Sequence, residues 1–246
     1  MLRLILPTCL AILTFNAANA KSIWSDNSIS FLAGNHYEVG PKRKQIITLE
    51  HASGHQWGDL FYFVDRLKGS DGSNETYMEL SPRISFGKLK LIQLENSFIK
   101  DILLASTIEM GQSANGSFNH YLVGIGFDID MPGFKFFQWN FYRRNNDNRD
   151  DSWQLTQTWS LPFTLGAQSW RYDGFIDWSS STNQASASLN FTSQLKWDLG
   201  QFTWQTSNEL FLGIEYVLWR NKFGIRNTPQ FDTHEDNVNL LIKYHF

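Results

Sequence analysis

Asp59, Phe61, Phe63 and Asp65 alternate with Leu60, Tyr62 and Val64 in the stretch W-G-D-L-F-Y-F-V-D-R (57–66). Successive side chains of a β-strand point to opposite faces, so a strand here carries two carboxylates and two phenyl rings on one side. Carboxylates accept hydrogen bonds from hydroxyl and ring N–H groups. Aromatic faces stack on flat rings, worth about 1–3 kcal/mol per base on nucleic-acid platforms. The pattern recurs along the chain. Glu79 and Arg83, with Tyr77 and Ser81, oppose Met78, Leu80 and Ile84. Asp128, with His120, Gly124 and Gly126, opposes Tyr121, Val123, Ile125, Phe127 and Ile129. Arg171, Asp173, Phe175 and Asp177 oppose Trp170, Tyr172, Ile176 and Trp178. A face of acids, arginines and phenyl rings suits an amphipathic neutral solute with hydroxyls and a flat ring. Phenyl rings packing together to fill a narrow interior is the other reading the residues allow.

Catalytic and metal chemistry have weaker footholds. In H-A-S-G-H, His51 and His55 are expected to flank a turn near Ser53 and Asp59, which offers a nucleophile, a base and an acid without a defining context. His-x3-His binds metal well on a helix, and this stretch reads as a turn at the rim of the fold. His234, Glu235 and Asp236 match no calcium-loop spacing. Asp147 to Asp151 reads as a solvated loop tip. The only cysteine, Cys9, falls in an expected leader, so the mature chain has no thiol for a disulfide, a zinc-thiolate site or a nucleophile. The residues call for no cofactor and no metal.

The elements that hold these faces are strands. From 237 to 246, Val238, Leu240, Ile242, Tyr244 and Phe246 fall on one side, and Asn237, Asn239, Lys243 and His245 on the other, with Leu241 the exception. An apolar outer face ending on an aromatic is the form of the terminal strand that delivers an outer-membrane barrel to its assembly machinery, here through Phe246. Arg3, the apolar run Leu4 to Phe15 and Ala18-Asn19-Ala20 form a secretory signal peptide over 1–20, with cleavage expected near Ala20. The mature domain is 21–246. The formal charge of −3, with 24 acids against 21 bases, does not provide the basic surface that nucleic acid requires. Aromatics make up 15% of the chain, with 10 Trp and 20 Phe, yet mean hydropathy is −0.33. No apolar run past the leader reaches the roughly 18 residues of a spanning helix. Membrane residence is compatible with such polarity when apolar and polar residues alternate, as in a β-barrel.

Period-2 segments bounded by turn residues place strands near 27–37, 44–53, 57–66, 75–85, 100–110, 119–130, 135–144, 152–161, 164–178, 185–198, 205–219 and 237–246. The expected fold is all-β, a transmembrane antiparallel up-and-down barrel of about twelve strands. With both termini periplasmic, Met131-Pro132-Gly133, Pro162-Phe163 and Leu199-Gly200 should be short turns, and 145–151 and 221–236 longer outer loops. The 86–99 connection is too long for a turn and is expected to form a small helix or a plug. An Arg or Lys facing the bilayer midplane costs roughly 2–4 kcal/mol, so the ionised faces must line the interior.

The chain resembles the Tsx-like family of nucleoside-specific outer-membrane channels, nearer its OmpK-type branch. The resemblance is carried by 57–66, T-Y-M-E-L-S-P-R-I-S-F-G-K-L (76–89), G-I-G-F-D-I-D-M-P-G (124–133), F-I-D-W (175–178), E-Y-V-L-W-R-N-K-F-G (215–224) and Y-H-F (244–246). It implies a monomeric channel in the outer membrane with nucleosides as permeants and, in some members, use as a phage or colicin receptor. The family's aromatic and ionisable lumen then corresponds to Asp59, Phe61, Phe63, Asp65, Glu79, Arg83, Asp128, Phe175 and Asp177. Gln154, Thr156 and Thr158 depart from it, standing on an inward face that is more basic in nucleoside-channel members. The competing readings are a receptor barrel without a specific permeant, a membrane-embedded hydrolase and a soluble lipocalin-like barrel.

Overall fold

The computed structural model describes residues 22–95, 97–147 and 149–246. The expected leader and its cleavage point lie outside them. Twelve strands are present: β1 Trp24–Gly34, β2 Lys44–His55, β3 Gly58–Gly69, β4 Asn74–Ser85, β5 Ile99–Ser113, β6 Gly116–Ile129, β7 Phe136–Asn145, β8 Ser152–Leu165, β9 Gln168–Ser179, β10 Ser188–Asp198, β11 Leu210–Arg220 and β12 Glu235–His245. Each pairs antiparallel with its sequence neighbour, and β12 closes on β1 through Ser28 opposite His245 and Gly34 opposite Asn239. Closure leaves no unpaired edge, the condition for holding strands in hydrocarbon.

Parity decides the two surfaces. On β12 the outward Val238, Leu240, Ile242 and Tyr244 are exposed, while Glu235, Asn237, Asn239 and Leu241 are fully buried inside the barrel. Leu241 breaks the polar pattern because it packs within the barrel against Leu32, Ile46 and Tyr37. Paired residues share a face, so the register carries this assignment around the wall. The outer belt includes Phe31, Ile47, Leu49, Tyr121, Val123, Phe141, Trp153 and Trp178, all exposed.

Several strand ends and connections differ from expectation. The β8–β9 turn is Gly166-Ala167, and Pro162 and Phe163 lie inside β8. Pro162 sits two residues beyond the last β7 pairing at Ser160, where that side of β8 has no ladder partner to miss its N–H. The Leu199-Gly200 corner is an eleven-residue connection, 199–209, opening with a one-turn helix, α1 Leu199–Thr203. Asp198 caps it by accepting from Gln201 N at 3.1 Å and holds the far side through Asn208 N at 2.7 Å. The described residues of the 86–98 connection form neither a helix nor a plug. Residues 86–90 are turns, the rest is irregular and mostly exposed, and Lys88 Nζ pins the segment to the rim by donating to the His55 and Gly58 carbonyls. β1 runs from 24 to 34, three residues earlier than expected at each end, because Tyr37 belongs to a loop that folds inward.

Candidate functional site

All eleven residues singled out from sequence occupy the inward face. Asp59, Phe61, Phe63 and Asp65 on β3 stand opposite Gly54, Ala52, Glu50 and Thr48 of β2. Across the next seam, Glu79 opposes Phe63 and Arg83 opposes Asp59. Asp128 of β6 pairs with Asp101, and Arg171, Asp173, Phe175 and Asp177 of β9 pair with the inward Lys196, Gln194, Thr192 and Asn190 of β10.

Arg83 ties three strands together. Its guanidinium is bidentate on Asp59, Nε to Oδ1 at 2.9 Å and Nη2 to Oδ2 at 2.7 Å, and its third nitrogen reaches Asp128 Oδ1 at 3.0 Å. It reaches past β5, where the residue in register with it is the small Ala105, itself in register with Gly124 of β6. This is the planar fork geometry arginine favours with carboxylates. Asp173 pairs with Lys196 at 2.8 Å. Among the described residues Arg171 binds no carboxylate; it donates to Asn208 at 2.8 Å and lies 4.8 Å from the Phe211 ring, beside a cleft of about 400 Å³ at the end that holds the termini. Asp65, Glu79 and Asp177 take hydroxyl donors instead of cations: Thr48 at 2.5 Å, the Tyr77 phenol at 2.5 Å, and Thr156. Each has acceptor capacity remaining, aimed into the interior.

The interior also holds groups that sequence reading did not single out. Glu50 pairs with Lys243 at 2.6 Å, Lys44 with Glu75 at 3.0 Å, and Arg144 with Glu109 at 2.5 Å. Arg144 Nη1 also donates to Gln154 Oε1 at 2.5 Å, so β7 supplies the charge that the β8 face of Gln154, Thr156 and Thr158 lacks. Alternation on β5 and β7 was the available signal for Glu109 and Arg144.

The phenyl rings of β3 belong to a longer row. Phe61 and Phe63 have centroids 5.9 Å apart, Phe63 and Tyr77 5.7 Å, Tyr77 and Phe118 6.3 Å, and Phe118 and His120 4.5 Å in a stacked pair. The row climbs one wall from mid-barrel toward the end away from the termini. Gly111 permits it: a Cβ there would stand 2.2 Å from the Phe118 ring. Phe175 stands apart on β9, between Thr158 and Thr192.

The histidine pair is not at a turn. His51, Ser53 and His55 lie within β2 on the outward face, and the turn is Gln56-Trp57. His51 Nδ1 meets Asn27 Oδ1 at 2.8 Å, which fixes Nδ1 as donor, and Nε2 faces Ser53 Oγ at 2.9 Å. His55 Nε2 holds the same hydroxyl from the other side at 3.0 Å. The order Asn–His–Ser is that of a hydrolase relay. Ser53 is only 1% exposed and bracketed by two imidazoles, so a carbonyl carbon could reach Oγ only by displacing one of them. The arrangement is a structural relay and not a catalytic centre. His234, Glu235 and Asp236 diverge: Glu235 turns inward, while Asp236 meets Arg220 and Tyr216 outside. No group of three or more metal-ligating side chains occurs among the described residues.

A closed antiparallel barrel with a hydrocarbon-compatible exterior and an ionised, ring-lined interior has the architecture of outer-membrane barrel proteins. Residues 32–235 match the family described as "Domain of unknown function (DUF5020)", and the chain belongs to that family. It is 26% identical over 197 residues to the nucleoside-specific channel-forming protein Tsx of Escherichia coli O157:H7, covering 68% of this chain and 67% of that protein. It is 28% identical over 135 residues to the outer membrane protein OmpK of Vibrio parahaemolyticus, covering 49% of this chain and 51% of that protein. The chain is thus a distant relative of Tsx- and OmpK-type proteins. Among solved structures, the KdgM porin with disordered oligogalacturonate superposes with a TM-score of 0.51 at 9% identity, covering 89% of this chain and 99% of that one. The NanC porin gives 0.51 at 11% identity, covering 90% and 99%. These two likenesses establish the fold.

Proposed function

We propose that the protein is an outer-membrane channel for passive, facilitated diffusion of small hydrophilic solutes, with nucleosides as the permeants. The observation that carries this reading is the row Phe61–Phe63–Tyr77–Phe118 beside carboxylates that lack a cation. A base can slide from ring to ring while Asp65, Glu79 and, from β9, Asp177 accept its ribose hydroxyls. Several modest sites in series suit conduction better than one tight site, which would hold its occupant. The relationship to a nucleoside-specific channel-forming protein supports the same choice. The end that holds the termini is periplasmic on this reading, and the connections 35–43, 180–187 and 221–234, with the described residues of 146–151, lie at the opposite, outer end. Lipid surrounds the barrel, which we take to work as a monomer, each chain closing its own sheet.

The test is conductance in planar bilayers with nucleoside added to one side. Nucleosides should partly block the ion current of the wild type, and Phe61→Ala with Phe63→Ala should raise the blocking concentration about ten-fold, the loss of one to two stacking contacts. Equal block in both would remove the aromatic row from the mechanism. A second reading, attachment of phage, draws on the braced outer loops. Asp150 N meets Gln184 Oε1 at 2.7 Å, Asn221 Nδ2 meets the Ala187 carbonyl at 2.8 Å, and Arg149 Nη1 meets the Phe223 carbonyl at 3.2 Å. A fixed surface of this kind suits recognition by a partner.

A further inference from the structure

Loop 35–43 folds into the barrel. Tyr37 is 5% exposed, between an exposed His36 and a half-buried Glu38, and its ring covers Leu32, Ile46 and Leu241. Its hydroxyl donates to Asn239 Oδ1 at 2.6 Å. The amides of His36 and Glu38 donate to Asn237 Oδ1 at 2.9 Å and Glu235 Oε2 at 2.6 Å. Asn237, Asn239 and Glu235 all rise from the inward face of β12, so the loop is fastened to the inner wall.

Lys222 meets this loop from the other side of β12. It is 5% exposed and forms an ion pair with Glu235. Its ammonium lies 5.7 Å from the Tyr37 centroid, 5.7 Å from Trp219 and 5.3 Å from Phe223. Three rings and a carboxylate are the components with which proteins hold alkylammonium ions. The backbone is bent to deliver it: Asn221 and Phe223, on either side, adopt left-handed φ values of 50° and 60°. Such conformations persist where the surroundings hold them in place. Glu235 is fully buried and its Oε1 has no hydrogen-bond partner among the described residues, so the carboxylate has acceptor capacity left; Lys44 Nζ, 5.6 Å from the same Tyr37 centroid, is held by Glu75 instead. Burial lowers the Lys222 pKa below the usual lysine value, more than Glu235 raises it.

Resting on the channel reading above, we propose that Lys222 is a built-in latch. Its tethered ammonium occupies a cage of Tyr37, Trp219, Phe223 and Glu235 and pins loop 35–43 to the neighbouring loop 221–234 at the outer mouth. Emptied of its lysine, the cage is a site for small alkylammonium ions.

The experiment compares the full barrel with Lys222→Ala and Lys222→Met in planar bilayers, with and without tetramethylammonium. Either variant should raise the open probability about ten-fold, the scale of losing a desolvated cation–π and ion-pair contact. Millimolar tetramethylammonium should return Lys222→Ala toward the wild-type current and leave the wild type unchanged. In detergent, its tryptophan fluorescence should respond saturably to the same ion, with Lys222→Ala/Trp219→Phe as blank. Variants that conduct like the wild type, or an ion effect equal in both, would overturn the latch. A barrel that passes no current in any form sinks the channel reading instead. The fluorescence titration then decides the cage alone: saturation in Lys222→Ala but not in the wild type supports it, and no saturation overturns it.

Discussion

At the residue scale, the account rests on how each charge inside the barrel is compensated. Arg83 is 5% exposed and neutralised by two carboxylates whose side chains are 24% and 29% exposed. Replacing it with alanine leaves Asp59 and Asp128 facing each other with no cation between them. Breaking a buried pair from one side typically costs 3–5 kcal/mol. Discounted for the partial exposure of the acids, Arg83→Ala should lose roughly 2–3 kcal/mol. Urea unfolding of the barrel from lipid vesicles, followed by tryptophan fluorescence, measures this. Asp59→Asn with Asp128→Asn, which instead strands the arginine, should be at least as damaging. Equal stability of all three proteins would mean that the triad is solvated and does not tie β3, β4 and β6 together.

At the element scale, the strands present these groups through alternation, and that is why so much was legible in advance. Which face a side chain takes depends on position modulo two, a local property. Spacing groups Asp59, Glu79, Asp128 and Asp177 on the mixed faces of their strands, and the cost of charge in hydrocarbon turns those faces inward. Strand ends depend on partners distant in sequence. β1 stops at Gly34 because Tyr37 is drawn onto Leu241 and Asn239, more than 200 positions away along the chain, and nothing near Tyr37 announces that. Pro162 looks like a turn, yet its position is set by where β7 runs out. The aromatic row was half visible for a related reason. Phe61 and Phe63 share a strand, whereas Tyr77, Phe118 and His120 join them only through the β3–β4, β4–β5 and β5–β6 registers. Gly111 leaves the space in which the Phe118 ring joins the row. Gly111→Val would push Phe118 from its place, because even a Cβ there would stand 2.2 Å from the ring. The barrel should still assemble, and nucleoside block should weaken several-fold. Unchanged block would take Phe118 out of the path.

At the scale of the whole molecule, the barrel is a sorting of surfaces. Aromatic side chains gather on the outside at both rims: Tyr121, Trp153 and Trp178 toward the outer loops, and Trp204, Tyr244 and Phe246 toward the termini. Such girdles sit at the two interfaces of a bilayer. Phe246 is 69% exposed, and its amide donates to the Asn27 carbonyl at 2.9 Å, at the seam where β12 meets β1. Phe246→Ala should therefore lower the yield of folded barrel in cells while leaving refolding in detergent intact. Equal yields in cells would separate the terminal ring from assembly. Inside, Asp65, Glu79 and Asp177 take hydroxyl donors and have no cationic partner among the described residues; on the channel reading proposed above, such a lining would favour neutral, hydroxyl-rich solutes over anions. The most direct measurement is uptake into liposomes carrying the purified protein, comparing purine and pyrimidine nucleosides with sugars of similar size. Faster entry of nucleosides, saturating with concentration and slowed by loss of Phe61 and Phe63, is the predicted result; equal, unsaturable entry of nucleosides and sugars would contradict it.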